Sequence, residues 1–232
     1  MSSRSPIIDI IIPAYNEEHA IGQVIDEIPR QNIRHILIGN NNSKDRTGEV
    51  ATAHGATVLF EKRAGYGYAC LICMDYIKSL AVKPDIIVFI DGDHSDYPEH
   101  LPDLVAPIVN DQADLVIGSR ALGNKEKGSM TLPQRFGNWL ATHMIRWFYG
   151  YHFTDLGPFR AVRYESLLAI NMQDKTFGWT VEMQVKAAKL KLRCTEVPVN
   201  YRTRIGVSKV SGTVKGTILA GYKIIWTIIK LI

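Results

Sequence analysis

The chain has 232 residues, 46% of them hydrophobic and 22% charged, with 27 Lys and Arg against 23 Asp and Glu. These values exclude a disordered or fibrous chain and suit one large globular domain, long enough to bury roughly 70–75% of its unfolded surface. A net charge of +4 is too small to mark a nucleic-acid binder, though it suits an anionic ligand or a membrane surface. Cys70, Cys73 and Cys194 cannot build a disulfide framework and point to a reducing compartment. The Cys70/Cys73 pair lacks a second pair at zinc-finger spacing, so buried thiols on a helix are expected rather than a zinc site. Residues 1–6 carry no hydrophobic targeting segment, and 7–12 is short and contains Asp9, so a cytoplasmic location is expected.

Short, nearly continuous apolar runs at 7–13, 35–39, 57–60, 86–91 and 115–118 read as strands. Helical patterns at 18–28, 45–54, 67–80 and 99–110 lie between them. The alternation predicts an α/β fold, a mostly parallel sheet with helices on both faces. After 118 the pattern changes. Residues 133–149 form an aromatic-rich helix, 159–162 an extended stretch, 181–192 a helix and 194–201 a strand, followed by a basic loop at 202–215.

Ligands of such sheets bind at the carboxyl ends of the strands, so the residues there are the informative ones. The first strand ends in PAYNE (13–17), where Tyr15 and Glu17 can stack on and hydrogen-bond a nucleoside, or merely open a helix. The second ends in NNNSKD (40–45), more side-chain oxygens than helix capping requires. RAGYGYA (63–69) is a glycine-rich turn after the third strand, too weak a match for a dinucleotide fingerprint but suited to a phosphate contact from Arg63. The fourth strand delivers Asp91-Gly92-Asp93, two carboxylates able to hold a hard divalent cation against a diphosphate. The fifth brings Arg120 to the same edge.

The ordered series PAYNE, NNNSKDRT (40–47), RAGYGYA, DGD (91–93) and ADLVIGSR (113–120) resembles family 2 glycosyltransferases of the GT-A fold. DLGPFRA (155–161), VEM (181–183), EVPVNYRTR (196–204) and GVSK (206–209) resemble the polyprenyl-phosphate mannose and glucose synthase branch, so the likeness covers about nine tenths of the chain. It implies transfer of a hexose from a UDP- or GDP-linked donor to a lipid phosphate, with inversion at the anomeric carbon. Pro13, Tyr15, Glu17, Asn41, Arg63, Asp91 and Gly92 would hold the nucleotide. Asp91, Asp93 and Ser95 would hold Mg²⁺ or Mn²⁺. Asp91, Asp93 and Arg120 would serve catalysis, and Arg160, Arg202, Arg204 and Lys209 the acceptor phosphate, with Arg160 alternatively a structural ion-pair residue. Asn41 stands where the family usually has a base-reading Asp, and Ser95 where mannose synthases often have Gln. Relatives that glycosylate hydroxyls present Glu-Asp on the later helix, the Asp as general base. Here the pair is Glu182-Met183, and Met takes no proton, whereas a phosphate acceptor is already anionic.

The segment at 146–147 superficially resembles the RW of processive synthases and is expected to be ordinary aromatic helix packing. Residues 213–232 are apolar with Lys215, Lys223 and Lys230, expected on one stripe opposite Ile218, Leu219, Ile225, Trp226, Ile229 and Ile232. Three lysines argue against a spanning helix. The expected organisation is a GT-A domain at 1–212 and an amphipathic helix at 213–232 resting on the cytoplasmic face of a membrane or on a partner, with a homo-oligomer left open. Two other readings remain: a soluble transferase to a hydroxyl, with Glu182 or Asp155 as base, and a non-catalytic sugar-nucleotide-binding protein.

Overall fold

The computed structural model describes residues 4–206 and 214–231, the stretch 214–220 as backbone only. In chain order the elements are β1 (Ile8–Ala14), α1 (Ile21–Glu27), β2 (Ile33–Asn40), α2 (Thr47–Ala53), β3 (Thr57–Phe60), α3 (Tyr66–Ser79), β4 (Ile86–Phe89), α4 (Leu101–Val109) and β5 (Leu115–Ser119). There follow α5 (Leu132–Tyr149), β6 (Arg160–Arg163), α6 (Tyr164–Ile170), α7 (Trp179–Lys189), β7 (Cys194–Pro198) and α8 (Val214–Lys230).

Among the described residues the seven strands form one sheet in the order β3-β2-β1-β4-β6-β5-β7. All pairs are parallel except the two made by β6, which runs against β4 and β5. Every residue of β1 is buried, because alternate side chains enter two different cores. Ile10 and Ile12 pack with α1 and α4 on one face, while Ile11 packs with α3, α5, α7 and α8 on the other. The mostly parallel sheet with helices on both faces is thus as expected. Cys70 and Cys73 are fully buried in the second core, where burial pushes both thiols well above their ordinary range.

Two helices differ from the sequence pattern. α1 begins at Ile21 rather than 18. The residues before it are tied to the loop after β2: the Glu17 amide donates to Thr47 Oγ1 (2.8 Å), the Glu18 amide to Asp45 (3.2 Å), and the Arg46 amide to Glu18 (3.0 Å). α8 divides its apolar residues. Ile228 is fully buried and Ile224 and Leu231 pack beside it, while Tyr222, Trp226 and Ile229 are exposed together with Lys230. Lys230 is therefore not set opposite Trp226 and Ile229. Lys223 turns to Asp174 at 2.9 Å. No helix among the described residues is long and apolar enough to cross a membrane.

Candidate active site

The chain reverses its winding between β1 and β4, and their carboxyl ends open a crevice there. A cavity of about 360 Å³ occupies it, lined by Pro13, Tyr15, Glu17, Asn41, Asp91, Gly92 and Asp93, with Asn42, Gly65, Tyr66, Phe177 and Arg204 among the rest. Seven residues expected there from sequence are thus brought together. A second cavity of about 300 Å³ shares Tyr66, Asp91, Asp93, Phe177 and Arg204 with the first and adds Arg120, Gln134, Asn138, Trp179 and Tyr201. The two meet at the aspartate pair.

Asp91 accepts a hydrogen bond from the Tyr66 hydroxyl at 2.9 Å. Burial, and then the charge of Asp93, raise its carboxyl to about 6. Asp93 is held on one oxygen by the amide (3.0 Å) and hydroxyl of Ser95, and its other oxygen lies 3.0 Å from Arg204 Nη1. The same Arg204 reaches Glu17 at 2.9 Å. Two carboxylates whose mutual repulsion raises a pKa form a site that a divalent cation stabilises. Among the described residues no third His, Cys, Asp or Glu joins them in ligating geometry. Such a site leaves the remaining oxygen ligands to phosphate and water, as Mg²⁺-type sites do. Ser95, expected as a ligand, lines neither cavity. It is 1% exposed and its hydroxyl is spent on aiming Asp93.

Arg120 grips Asp155 through Nε and Nη2, both at 2.8 Å, and lies over the Tyr201 ring at 4.9 Å. It faces the second cavity from that brace. Three other expected cations are placed differently. Arg160 is fully buried beneath the site and donates to the carbonyls of Leu156 (2.9 Å), Gly157 (3.0 Å) and Thr180 (3.0 Å). It cannot meet an acceptor phosphate. Its partners are carbonyls rather than the carboxylate of an ion pair, and burial pulls it down to about 10, still charged at neutral pH. Arg202 turns away to Glu27 and to the carbonyls of His94 (2.7 Å) and Asp96 (3.2 Å), over the Tyr97 ring. Arg63 pairs with Glu61 (2.6 Å) over Tyr68 and does not line the cavity. Lys209 lies outside the described residues.

Asn41 is turned inward. Its Nδ2 donates to the Arg63 carbonyl (2.6 Å) and its Oδ1 accepts from the Gly65 amide (2.8 Å). It shapes the glycine turn that walls the nucleotide cavity. That turn is pressed against the loop before α7. A Cβ on Gly65 would stand 2.1 Å from the Lys175 carbonyl, and one on Gly67 2.0 Å from that of Asp174, so no other residue fits at either position. Glu182 holds this loop from behind, accepting the amides of Gln173 (3.0 Å) and Asp174 (2.7 Å) and pairing with Lys186 (2.7 Å). Neither Glu182 nor Asp155 is a free base.

Sequence reasoning missed Tyr66, Phe177, Trp179 and Tyr201. Tyr66 stands between the two glycines of GYGY, where the sequence signal is carried by the glycines. Phe177 lies in an aperiodic loop and carried no signal.

The family model Glycosyl transferase family 2 matches residues 9–170. An uncharacterized glycosyltransferase of Mycobacterium tuberculosis (strain ATCC 25618 / H37Rv) is 34% identical, over 92% of this chain and 94% of its own. A dolichyl-phosphate hexose transferase of Haloferax volcanii is 33% identical over 87% and 85%, and an undecaprenyl-phosphate mannosyltransferase of Micrococcus luteus 29% over 89% and 88%. The crystal structure of glucosyl-3-phosphoglycerate synthase from Mycobacterium tuberculosis with Mn²⁺, UDP-glucose and phosphoglyceric acid superposes with a TM-score of 0.76 at 21% identity, covering 98% of this chain and 80% of that one. That likeness establishes the fold. With the family matched over most of the chain and the aspartate pair standing at the expected strand end, the chain belongs to glycosyl transferase family 2 and is a glycosyltransferase.

Proposed function

We propose that the chain transfers a hexose from a UDP- or GDP-linked sugar to a polyprenyl phosphate, with inversion at the anomeric carbon. The observation that carries this reading is the wall of the second cavity. Among the described residues it presents Arg120 and Arg204, and no carboxylate beyond the Asp91–Asp93 pair shared with the donor side. A hydroxyl acceptor needs a base there, and the two candidates, Glu182 and Asp155, are committed to backbone amides and to Arg120. A phosphate needs cations and no base. The likeness to a dolichyl-phosphate and an undecaprenyl-phosphate transferase supports the same acceptor class.

The donor nucleotide lies in the first cavity against Tyr15 and the glycine turn, its diphosphate beside Asp91 and Asp93. Those two residues would hold Mg²⁺ or Mn²⁺, which when bound supplies positive charge to the leaving diphosphate. Tyr66 and Ser95 fix the carboxylates in place. Arg204, anchored by Glu17 and Asp93, and Arg120, anchored by Asp155, orient the acceptor phosphate from the other side. One phosphate oxygen forms a bond to the anomeric carbon as the bond to the diphosphate breaks, and that electron pair leaves with the nucleoside diphosphate. Work takes place at the cytoplasmic face of a membrane, with α8 in contact. The test is incubation with labelled UDP- and GDP-hexoses, each with a polyprenyl phosphate, 3-phosphoglycerate or a free saccharide. Label passing into an organic-extractable, acid-labile product is expected. Transfer only to a water-soluble acceptor overturns the lipid reading.

A further inference from the structure

The sequence of α5 specifies a helix with two usable faces. Thr131 and Gln134 form a capping box at its start, and Gly150 closes it at φ 71°. Inward it presents Ala141, Thr142 and Ile145, all buried. Outward, Leu132, Phe136, Trp139 and Trp147 are 76%, 62%, 52% and 82% exposed. At 100° per residue these four fall on one side of the helix. The aromatic packing expected at Trp147 lies outside the core, where its ring stacks on Phe148 at 5.3 Å. Phe136 and Trp139 stand 5.9 Å apart, and Trp139 is 4.6 Å from His143. α8 packs beside α5 and shows the same habit, with Tyr222 stacked on Trp226 and Ile229 beyond them, all three about half exposed or more. So many large apolar groups on two adjoining helices exceed the scatter of a solvated surface.

The geometry points to this outer face of α5, continued by α8, as the surface on which the chain lies against an anionic lipid bilayer. The inference rests on the lipid-phosphate reading above and names what that reading leaves open, the element that docks. Two observations select the occupant. First, neither helix contains an acidic residue, whereas Arg135 and Arg146 of α5 and Lys230 of α8 are exposed. A second copy of the same face would bring cations onto cations, while anionic headgroups complement them. Second, the face borders the second cavity. Pro133 and Gly137 of α5 and Gly221 and Ile224 of α8 line it, and Pro133 and Gly137 sit about 100° round the helix from Leu132 and Phe136, so the cavity wall and the exposed face are adjoining sides of α5. A bilayer on this surface places lipid headgroups at the rim of the cavity that holds Arg120 and Arg204. Trp and Tyr at the periphery suit the headgroup level, where an amphipathic ring has one apolar side and one wet side.

The test uses the full chain and vesicles of phosphatidylcholine, with and without phosphatidylglycerol, in co-sedimentation. Wild type is expected to partition onto the anionic vesicles. Phe136→Ser with Trp139→Ser and Trp147→Ser should lower that partitioning at least about tenfold, with an unchanged circular dichroism spectrum, because all three side chains are exposed. Arg135→Glu with Arg146→Glu should abolish the preference for phosphatidylglycerol. Val82→Ser, exposed far along the chain from both helices, should change nothing. Unchanged partitioning of the triple aromatic variant overturns the inference, as does its conversion of a wild-type dimer to a monomer in analytical ultracentrifugation without loss of vesicle binding. Transfer to a short, water-soluble polyprenyl phosphate should survive the aromatic changes. Its failure in wild type would sink the acceptor reading and leave the vesicle result to decide the surface.

Discussion

Asn41→Asp exchanges the side-chain amide for a carboxylate of nearly the same shape, and the outcome depends on what Asn41 does. In this structure the side chain is 8% exposed and makes two loop contacts, donating to the Arg63 carbonyl at 2.6 Å and accepting from the Gly65 amide at 2.8 Å. Aspartate keeps the second contact and loses the first, setting a carboxylate oxygen against a carbonyl oxygen. A buried acceptor deprived of its donor costs about 1–3 kcal/mol. The Gly65 side of the turn cannot retreat, because the Lys175 carbonyl already occupies the space beside it. The strain therefore falls on 63–65, the wall of the nucleotide cavity. At 1.4 kcal/mol per tenfold, that is roughly a 5- to 150-fold loss of affinity for the nucleoside diphosphate. Asn41 touches no reacting bond, so kcat at saturating donor should change little. Calorimetry with UDP and GDP in Mn²⁺, on wild type and variant, reads this directly. Equal or tighter binding of either nucleotide by Asn41→Asp would refute the reasoning and make position 41 a direct reader of the base.

Tyr66→Phe removes the hydroxyl that steadies Asp91 at 2.9 Å and should weaken Mn²⁺ binding by about 10- to 100-fold. Calorimetry with the metal alone checks it, and unchanged affinity assigns the hydroxyl no part in the site. Arg160→Met strips donors from three carbonyls, two of them buried, and should cost about 3 kcal/mol or more in urea unfolding; a loss under about 1 kcal/mol would show that water replaces the guanidinium. Glu27 links α1 to the site through Arg202 and His94. Burial pushes its carboxyl up, but the hydrogen bonds to those two residues outweigh it and leave the group below its ordinary 4.5. A carboxylate lowered in the folded state contributes stability above its unfolded pKa and loses it as pH falls through the folded value. The stability difference between wild type and Glu27→Gln should thus be present at pH 6 and shrink below pH 4.5, the ordinary carboxyl value. A pH-independent difference would remove the ionic account.

The strand ends were legible because buried parallel strands leave a distinct trace, a short apolar run whose next residue meets solvent or ligand. Pro13, Asn41 and Asp91 were located in that way. The reversal of β6 was not legible, since a four-residue extended stretch such as FRAV (159–162) reads the same whichever way it runs. α6 follows β6 without a turn residue to announce it. The arginines show a different limit. Arg160, Arg202 and Arg204 are equal as charges in the sequence, yet the side chain is long enough to fold back on carbonyls, clasp a distant glutamate or enter a cavity. Of the described arginines, only Arg204 and Arg120 line the second cavity. The difference depends on which carbonyls the backbone leaves unpaired nearby, and that is a property of the assembled chain.

The burial of Ile228 within the second core, with Tyr149 Oη donating to its carbonyl (3.4 Å) and Lys223 reaching Asp174 (2.9 Å), bears on how the C-terminus can be handled. A truncation before residue 213 removes a wall of the core along with any lipid-facing surface. It opens the core beside α5 and α7 and releases the loop that carries Phe177, so a shortened chain would aggregate, or lose its donor, for reasons unrelated to lipid. The proposed lipid contact and the core share one helix, and substitutions on its outer side are the ones that test the first while sparing the second.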